Sequence, residues 1–197
     1  MCNCANYVRS DEDMSTKKDA LSSEYKVNSQ EWWEGYFGGG LWSYYDGGAQ
    51  TLFFAKVAWE HINQEFIDII MREQLKICDV GCAEGEGVYL MTCKFPRNKI
   101  FGIDLSEYAV KNAVKKYPMC CFICSDLDEM KESCDVLFSS NVLEHLVEPE
   151  RVLQKLYEKS NRYIIIMVPF KDDSGEISHI NKFGREFFYE NCPRGVK

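Results

Sequence analysis

The stretch KICDVGCAEGEG, residues 76–87, decides the fold, because a short apolar run ends at Asp79 and is followed at once by glycines. Such a turn lets a ligand approach backbone N–H groups at the start of a helix. Its spacing differs from the dinucleotide pattern G-x-G-x-x-G, since Ala83 and Glu86 stand at the second and third glycine positions. Glu84 and Glu86 would also repel a pyrophosphate. The turn therefore predicts a nucleotide-like ligand with a cationic head.

Strand and helix patterns alternate after this turn. Apolar, strand-like runs recur in KIFGID (99–104), CCFICSD (120–126), CDVLFSSN (134–141) and RYIIIMVP (162–169). Ser106 and Pro149 stand where helices between these runs would begin. The alternation predicts a Rossmann-like, doubly wound α/β fold with a mostly parallel sheet and helices on both faces. We expect the strand at 162–169 to be fully buried.

The N-terminal part of the chain has a different character. Residues 1–30 are polar and predict a mobile leader, and residues 31–72 predict an aromatic, glycine-rich cap with helices before a core at 73–197. The segment EWWEGYFGGGLWSYYDGG (31–48) fits neither a helix nor a strand pattern, and either covers a ligand site or plugs one end of the core. A helical period over 51–71 places an apolar face on Phe54, Ala58, Ile62, Phe66 and Ile69, with a break near Asn63.

The composition of the chain limits the kinds of binding partner and the compartment that we expect. The chain has 197 residues and a net charge of −8, which disfavours nucleic acid, and it has neither an apolar N-terminal run nor an apolar stretch of membrane-spanning length. We therefore expect a cytoplasmic protein with reduced thiols and no membrane partner; the oligomeric state is not readable. Cys121 and Cys124 form a C-x-x-C pair beside Cys120, and we interpret them as core cysteines without a metal.

Polar residues follow each of the next three strands, and the carboxyl ends of parallel strands meet at one edge of the sheet. Asp104 ends the second strand and can accept hydrogen bonds from two ribose hydroxyls. Asp126 and Leu127 follow the third strand and can bond an adenine edge. The segment SSNVLEHL (139–146) follows the fourth and should border the reacting end of the ligand.

In this order, DVGCAEGEG, GIDLSEYAV, SDLDEM and CDVLFSSNVLEHL resemble the class I S-adenosylmethionine-dependent methyltransferases, in particular the small-molecule and glycan-associated branch. The resemblance implies S-adenosylmethionine as cofactor and S-adenosylhomocysteine as product. It implies that the turn cradles the methionine part, that Asp104 holds the ribose, that Leu105, Asp126 and Leu127 contact the adenine, and that Asn141 lies near the methyl group. The turn residues concerned are Asp79, Gly81, Cys82, Ala83 and Gly85.

Two departures from the family pattern matter. Ala83 replaces the usual middle glycine, which narrows the turn. The chain also ends before the sixth and seventh strands that the family usually has, so we expect either a fragment or a reduced variant.

The resemblance implies methyl transfer to a small-molecule or sugar and glycan-precursor acceptor by in-line displacement at the sulfonium. His145 and His179 are candidate catalytic bases, and Tyr44 or Tyr45 could contribute from the aromatic segment. His145 could instead only hydrogen-bond backbone, and His179 could be a surface residue. We expect His61 to pack and Glu144 to be solvated or to cap a helix. A non-catalytic S-adenosylmethionine-binding module and an NAD(P)-dependent oxidoreductase remain as alternatives.

Overall fold

The computed structural model describes residues 11–191. Five helices come first: α1 (Asp11–Glu24), α2 (Gln30–Gly38), α3 (Leu41–Tyr44), α4 (Gly47–His61) and α5 (Gln64–Glu73). The alternating part follows with β1 (Ile77–Val80), α6 (Glu86–Lys94), β2 (Ile100–Asp104), α7 (Glu107–Lys116), β3 (Cys121–Cys124), β4 (Cys134–Ser140), a 3₁₀ turn (Leu143–His145), α8 (Pro149–Lys159), β5 (Ser160–Met167) and α9 (Arg185–Asn191).

The five strands form one sheet in the order β3-β2-β1-β4-β5, and every neighbouring pair is parallel. The order reverses direction between β1 and β4, so the crevice at the carboxyl ends of these two strands is the topological switch point. The predicted Rossmann-like α/β fold is confirmed. No helix in the described range is both long and apolar enough to cross a membrane.

Side chains alternate along the central strands and fill a core on each face of the sheet. Ile77, Val136 and Phe138 face α4, α5 and α6, where Trp59 stacks on Phe138 with ring centroids 5.6 Å apart. Cys78 and Leu137 face the other side, with Leu143 and Leu156 from the segment after β4. This period of two is what a strand imposes when both of its faces are buried.

The helical pair α4 and α5 breaks as the sequence predicts, because Asn63 caps α5 by accepting a hydrogen bond from the N–H of Phe66 at 2.8 Å. The buried face is shifted by one residue from the predicted one, and is made by Ala55, Trp59, Ile67 and Ile70. The predicted face is only half-buried over most of its length and packs along the flank of this core. Trp59 moves the face because its ring fills the space beside Phe95 and Phe138.

The N-terminal segment contains helices that its sequence pattern does not predict. Residues 11–24 of the expected leader form α1 with Met14 fully buried, while residues 1–10 lie outside the described range. The aromatic segment contains α2 and α3, so the expectation of no helix there was wrong. Aromatic contacts at helical spacing, such as Trp32 stacked on Tyr36 at 5.0 Å, stabilise α2 despite its glycines. The boundaries of the cap and core proposed from the sequence remain a prediction.

The two outer strands are more exposed than predicted. Residues of β5 are half-buried or exposed rather than fully buried, because only β4 pairs with this strand among the described residues. Cys121 and Cys124 on β3 are exposed, so their interpretation as core cysteines was wrong, whereas Cys78, Cys82 and Cys134 are buried. The pattern of apolar residues could not reveal which strands lie at the edges.

Glu34 of α2 joins the N-terminal helices to the core. Its carboxylate accepts hydrogen bonds from the backbone N–H groups of Glu107 and Tyr108 and from the hydroxyl of Ser106, which caps α7. A carboxylate at this position satisfies N–H groups that have no partner within the helix and complements the helix dipole.

We expect Glu34→Ala to lower the free energy of unfolding by about 1–2 kcal/mol, because it removes a charged helix cap. Urea denaturation followed by circular dichroism measures this change. Glu60→Ala, on the exposed surface of α4, is the matched control and should change stability by less than about 0.5 kcal/mol. Equal effects of the two substitutions would contradict the capping role.

Candidate functional site

The turn after β1 lies at the switch point and has an unusual backbone. Gly81, Ala83 and Gly85 all have positive φ, of 76°, 47° and 91°. The left-handed conformation is strained for Ala83, which has a Cβ. Its N–H donates to Asp104 Oδ2 at 2.8 Å, which holds the strained residue in place. The turn is therefore fixed by a carboxylate at the end of the neighbouring strand.

Asp104 carries two backbone bonds, because its other oxygen accepts from the N–H of Ser106 at 2.9 Å. A carboxylate has about four acceptor sites, so acceptor capacity remains for hydroxyl donors from a ligand. Burial raises the pKa of Asp104 despite these bonds. Asp79 at the end of β1 is buried, and burial together with the charge of Asp104 raises its pKa to about 8. Two acids in one buried crevice favour a cationic ligand group.

The remaining predicted cofactor residues surround the same edge. Leu127 is buried, and exposed Asp126 uses Oδ1 to accept a bond from the N–H of Glu129, which leaves Oδ2 without a partner among the described residues. Cys82 is buried beneath the turn. The carbonyl of Leu105 accepts a bond from the Gln30 side chain at 3.0 Å.

Asn141, directly after β4, has a φ of 56°, and its N–H donates to the Met167 carbonyl at the end of β5. The predicted residues thus sit at the carboxyl ends of β1, β2, β3 and β4, on one edge of the sheet.

Glu84 and Glu86 do not contribute charge in the way the sequence suggested. Glu84 accepts a bond from Asn112, and Glu86 forms an ion pair with Lys116. Both acids line a cavity of about 340 Å³ beside Trp42, on the α6 and α7 side of the turn. The acidic character of the crevice therefore comes from Asp79 and Asp104.

The aromatic segment packs onto this edge of the sheet. Phe37 and Ala83 belong to one small core cluster with Ala109, and Trp33 packs against it. The Trp33 ring also meets the His145 ring edge-on at 5.1 Å. Helix α2 therefore touches both the glycine turn and the segment after β4.

A cluster of Glu144, His145 and His179 lies after β4 and β5. One potential ligand atom from each of the three side chains lies within 4.8 Å of those of the other two. The expectation that Glu144 is solvated or capping was wrong, because its side chain is fully buried and neither carboxylate oxygen has a hydrogen bond of normal geometry. The apolar residues Leu143 and Leu146 near Glu144 were the available signal, and it is weak because Asn141 and His145 lie among them.

Each histidine is held through Nδ1. His145 Nδ1 lies 2.9 Å from the Ser178 carbonyl oxygen, and His179 Nδ1 lies 2.6 Å from Asp172 Oδ2. The sequence analysis foresaw the backbone contact of His145 as one of two alternatives and missed Asp172. His61, expected to pack, is exposed on α4 and bonds the Val57 carbonyl.

Burial dominates the proton equilibria in this cluster. It raises the pKa of Glu144 to about 7, partly opposed by the nearby His179 and Asn141. It lowers the pKa of His145 to about 4, so this imidazole is neutral at pH 7. The hydrogen bond from His179 lowers the pKa of Asp172 to about 2.

Comparison with known proteins agrees with this geometry. A family model described as a methyltransferase domain matches residues 71–193. The chain belongs to this family. The match covers the whole alternating part and confirms the assignment to the methyltransferases made from the strand-end motifs.

Curated relatives of this methyltransferase domain include trans-aconitate 2-methyltransferases. The protein from Deinococcus radiodurans is 26% identical over 119 residues, which are 59% of this chain and 46% of that protein. The protein from Escherichia coli O7:K1 is 24% identical over 106 residues, which are 53% of this chain and 42% of that protein. The domain thus spans less than half the length of these relatives.

Solved structures share the fold at low identity. The plantazolicin methyltransferase BpumL, in complex with a monoazolic desmethylPZN analog and SAH, has a TM-score of 0.62 and 20% identity, covering 92% of this chain and 80% of that chain. Streptomyces venezuelae DesVI has a TM-score of 0.53 and 15% identity, covering 70% of this chain and 59% of that chain.

Gly81 and Gly175 have nearly the same positive φ, 76° and 75°, so an added Cβ would cause similar backbone strain at both positions. Any difference between them then reports steric crowding. A Cβ at Gly81 would lie 2.5 Å from Val142 Cγ2, whereas a Cβ at Gly175 would meet nothing within 4 Å. We expect Gly175→Ala to cost about 1 kcal/mol of unfolding free energy, and Gly81→Ala about 1–3 kcal/mol more. Urea denaturation of the ligand-free chain measures both. Equal costs would contradict the packing of the turn against Val142.

The raised pKa of Asp79 makes stability depend on pH. The folded chain binds this proton more tightly than the unfolded chain, so the contribution is full below the usual pKa of 3.8 and is lost as the pH rises toward about 8. We expect Asp79→Asn to flatten the decrease in unfolding free energy over this range. Denaturation at a series of pH values tests this, and an unchanged slope in the variant would contradict the burial of a proton-binding Asp79.

Proposed function

We propose that this methyltransferase domain binds S-adenosylmethionine at the switch point and transfers its methyl group to a small-molecule acceptor, such as a sugar or glycan precursor. The observation that carries the proposal is the joint placement of the strained glycine turn with buried Asp79 and half-buried Asp104. The similarity to trans-aconitate 2-methyltransferases supports a small acceptor.

The described residues fit this cofactor. The remaining acceptor capacity of Asp104 suits the hydroxyls of a ribose. Buried Leu127 and Asp126 Oδ2, which has no partner among the described residues, suit an apolar ring with an amino edge. The acids Asp79 and Asp104 offset the positive charge of a sulfonium and an ammonium group. Gly81, Cys82, Ala83 and Gly85 would border the methionine part, and Leu105 the adenine.

When bound, the cofactor supplies a methyl group activated by the positive sulfur. The residues of the chain then align the two reactants and exclude water. Asn141 would lie beside the methyl group, at the point where β4 ends next to β5. Helix α2 would cover the site, because Phe37 and Trp33 already contact the turn and its surroundings.

His145 and His179 follow β4 and β5, and we propose that they contact the methyl acceptor. Attack by a hydroxyl on the methyl carbon breaks the carbon–sulfur bond, whose electron pair stays on sulfur, and releases a proton. His179 is the better proton acceptor, because Asp172 bonds its Nδ1 and would stabilise the imidazolium. His145 is too weakly basic at neutral pH for this role and would instead hydrogen-bond the acceptor.

Calorimetric titration of the chain with S-adenosylhomocysteine and, separately, with NADH tests the proposal. We expect one S-adenosylhomocysteine per chain and no NADH binding. Asp104→Ala should weaken binding by at least about tenfold, because a charge-assisted hydrogen bond contributes about 1.5–3 kcal/mol. Asp68→Ala, on the exposed face of α5, should bind as the wild type does.

Binding of NADH alone would overturn the proposal in favour of an oxidoreductase. Binding of S-adenosylhomocysteine without methyl release from S-adenosylmethionine over a panel of hydroxyl and amine acceptors would favour a non-catalytic module. Circular dichroism of Asp104→Ala separates loss of the site from loss of the fold.

A further inference from the structure

Glu144 presents a problem that the proposed chemistry leaves unsolved. Its carboxylate is fully buried and its oxygens accept no hydrogen bond of normal geometry, although its backbone carbonyl accepts bonds from the N–H groups of Ile180 and Asn181. Burying a carboxyl group that has no hydrogen-bond partner costs free energy, and such groups are rare in folded proteins. The Glu144 N–H and the Asn141 side chain offset only part of this cost, so the carboxylate can still take a further donor or a cation.

The two neighbouring histidines are arranged as metal ligands are. A histidine that binds a metal donates its other ring N–H to a carbonyl or a carboxylate, which fixes the ring and its tautomer. His145 does this to the Ser178 carbonyl and His179 to the Asp172 carboxylate, both through Nδ1. In the neutral imidazoles each Nε2 then carries no proton, and its lone pair is available to bind an ion.

The distances suit one ion. One ring nitrogen of each histidine and one carboxylate oxygen of Glu144 lie within 4.8 Å of one another. Two ligands that each lie about 2.1 Å from a tetrahedral metal are about 3.4 Å apart, so closing the site requires the widest pair to approach by up to about 1.4 Å. His179 is partly exposed and offers an ion a path from solvent.

The scaffold around the cluster holds it together across a gap of more than thirty residues in sequence. The Asn181 amide donates to the Leu143 and Leu146 carbonyls at 3.2 and 2.5 Å, which ties the segment after β5 to the 3₁₀ turn. The Asn28 amide bonds the Ser178 carbonyl at 2.8 Å from the other side. The ligand positions are therefore set by backbone contacts that do not depend on an ion.

We propose that Glu144, His145 and His179 bind one divalent transition-metal ion at the acceptor side of the site. Two imidazoles and one carboxylate suit zinc, cobalt, manganese or iron, and three protein ligands leave coordination positions open. The ion would neutralise the buried carboxylate. Asp172 and the Ser178 carbonyl would act as the outer partners that orient the rings.

A consequence for the acceptor rests on the proposed methyl transfer. An acceptor hydroxyl that enters an open coordination position loses its proton more readily, because the ion stabilises the alkoxide. The ion would then replace His179 as the group that activates the acceptor. Acceptors with two adjacent oxygen atoms would be favoured, since they can occupy two open positions.

Titration of the chelator-treated full chain with Co²⁺ in the presence of a phosphine reductant tests the proposal. We expect one Co²⁺ per chain, visible d–d absorption, and no intense thiolate charge-transfer band. Glu144→Gln and His179→Gln should each weaken binding by more than about tenfold, and Asp172→Asn by about tenfold through the outer partner. His61→Gln, on the exposed surface of α4, is the matched control and should bind as the wild type does.

Two results would overturn the proposal: no saturable Co²⁺ binding by the folded wild-type chain, or wild-type affinity for Co²⁺ in both Glu144→Gln and His179→Gln. A double variant, Cys121→Ser with Cys124→Ser, removes two exposed thiols. If this variant lost Co²⁺ binding while the Glu144 and His179 variants kept it, the ion would be bound by cysteines and the proposal would be overturned as well. Circular dichroism checks each fold, and the half-buried His179 keeps the test decisive if Glu144→Gln does not fold. S-adenosylhomocysteine titration with and without Co²⁺ separates this proposal from the proposed function, because cofactor affinity should not depend on the ion.

Discussion

The hydrogen bond from the Ala83 N–H to Asp104 is the interaction on which the site depends. It joins the ends of β1 and β2, holds a residue with a Cβ in the left-handed region, and leaves the glycines on either side to shape the turn. It also fixes a carboxylate in a buried crevice, close enough to Asp79 to raise the pKa of that acid. The strand order places this crevice at the switch point, where a parallel sheet opens to a ligand. The strained turn, the acidic side chains and the strand order thus all indicate a ligand site at this crevice.

Much of this was predictable from residues 76–169. The alternation of apolar runs with helix signals, and caps such as Asn63, Ser106 and Pro149, gave the elements and their order because each signal is local. The acids Asp104 and Asp126 could be placed on one edge because parallel strands share an edge. The exposure of β3 and β5 and the one-residue shift of the α4 and α5 face toward Trp59 could not be predicted, because they depend on contacts between residues distant in sequence. The helices in the aromatic segment were missed because its glycines obscured the helical spacing of its aromatic residues.

The cluster of Glu144, His145 and His179 was also only partly predictable from the sequence. His145 and His179 could be singled out because they follow β4 and β5, but the buried state of Glu144 and the role of Asp172 depend on how the segment after β5 folds back over the 3₁₀ turn. Asn181 makes this contact through bonds to three backbone carbonyls, and nothing in its sequence context marks it. Helix α1 and the residues after it reach the same segment through the Lys18–Glu176 ion pair and Asn28. The N-terminal helices and the acceptor segment are therefore one structural unit around the edge of the sheet.

The most direct test of the central claim is to follow the backbone amide signals of the isotopically labelled chain by nuclear magnetic resonance as S-adenosylhomocysteine is added. The account predicts saturable shifts that are largest at the turn after β1 and at the residues following β2 and β3, with Gly81, Gly85, Leu105 and Leu127 among them. Shifts centred on the cavity beside Lys116 and Trp42, or no shifts at saturating ligand, would contradict it.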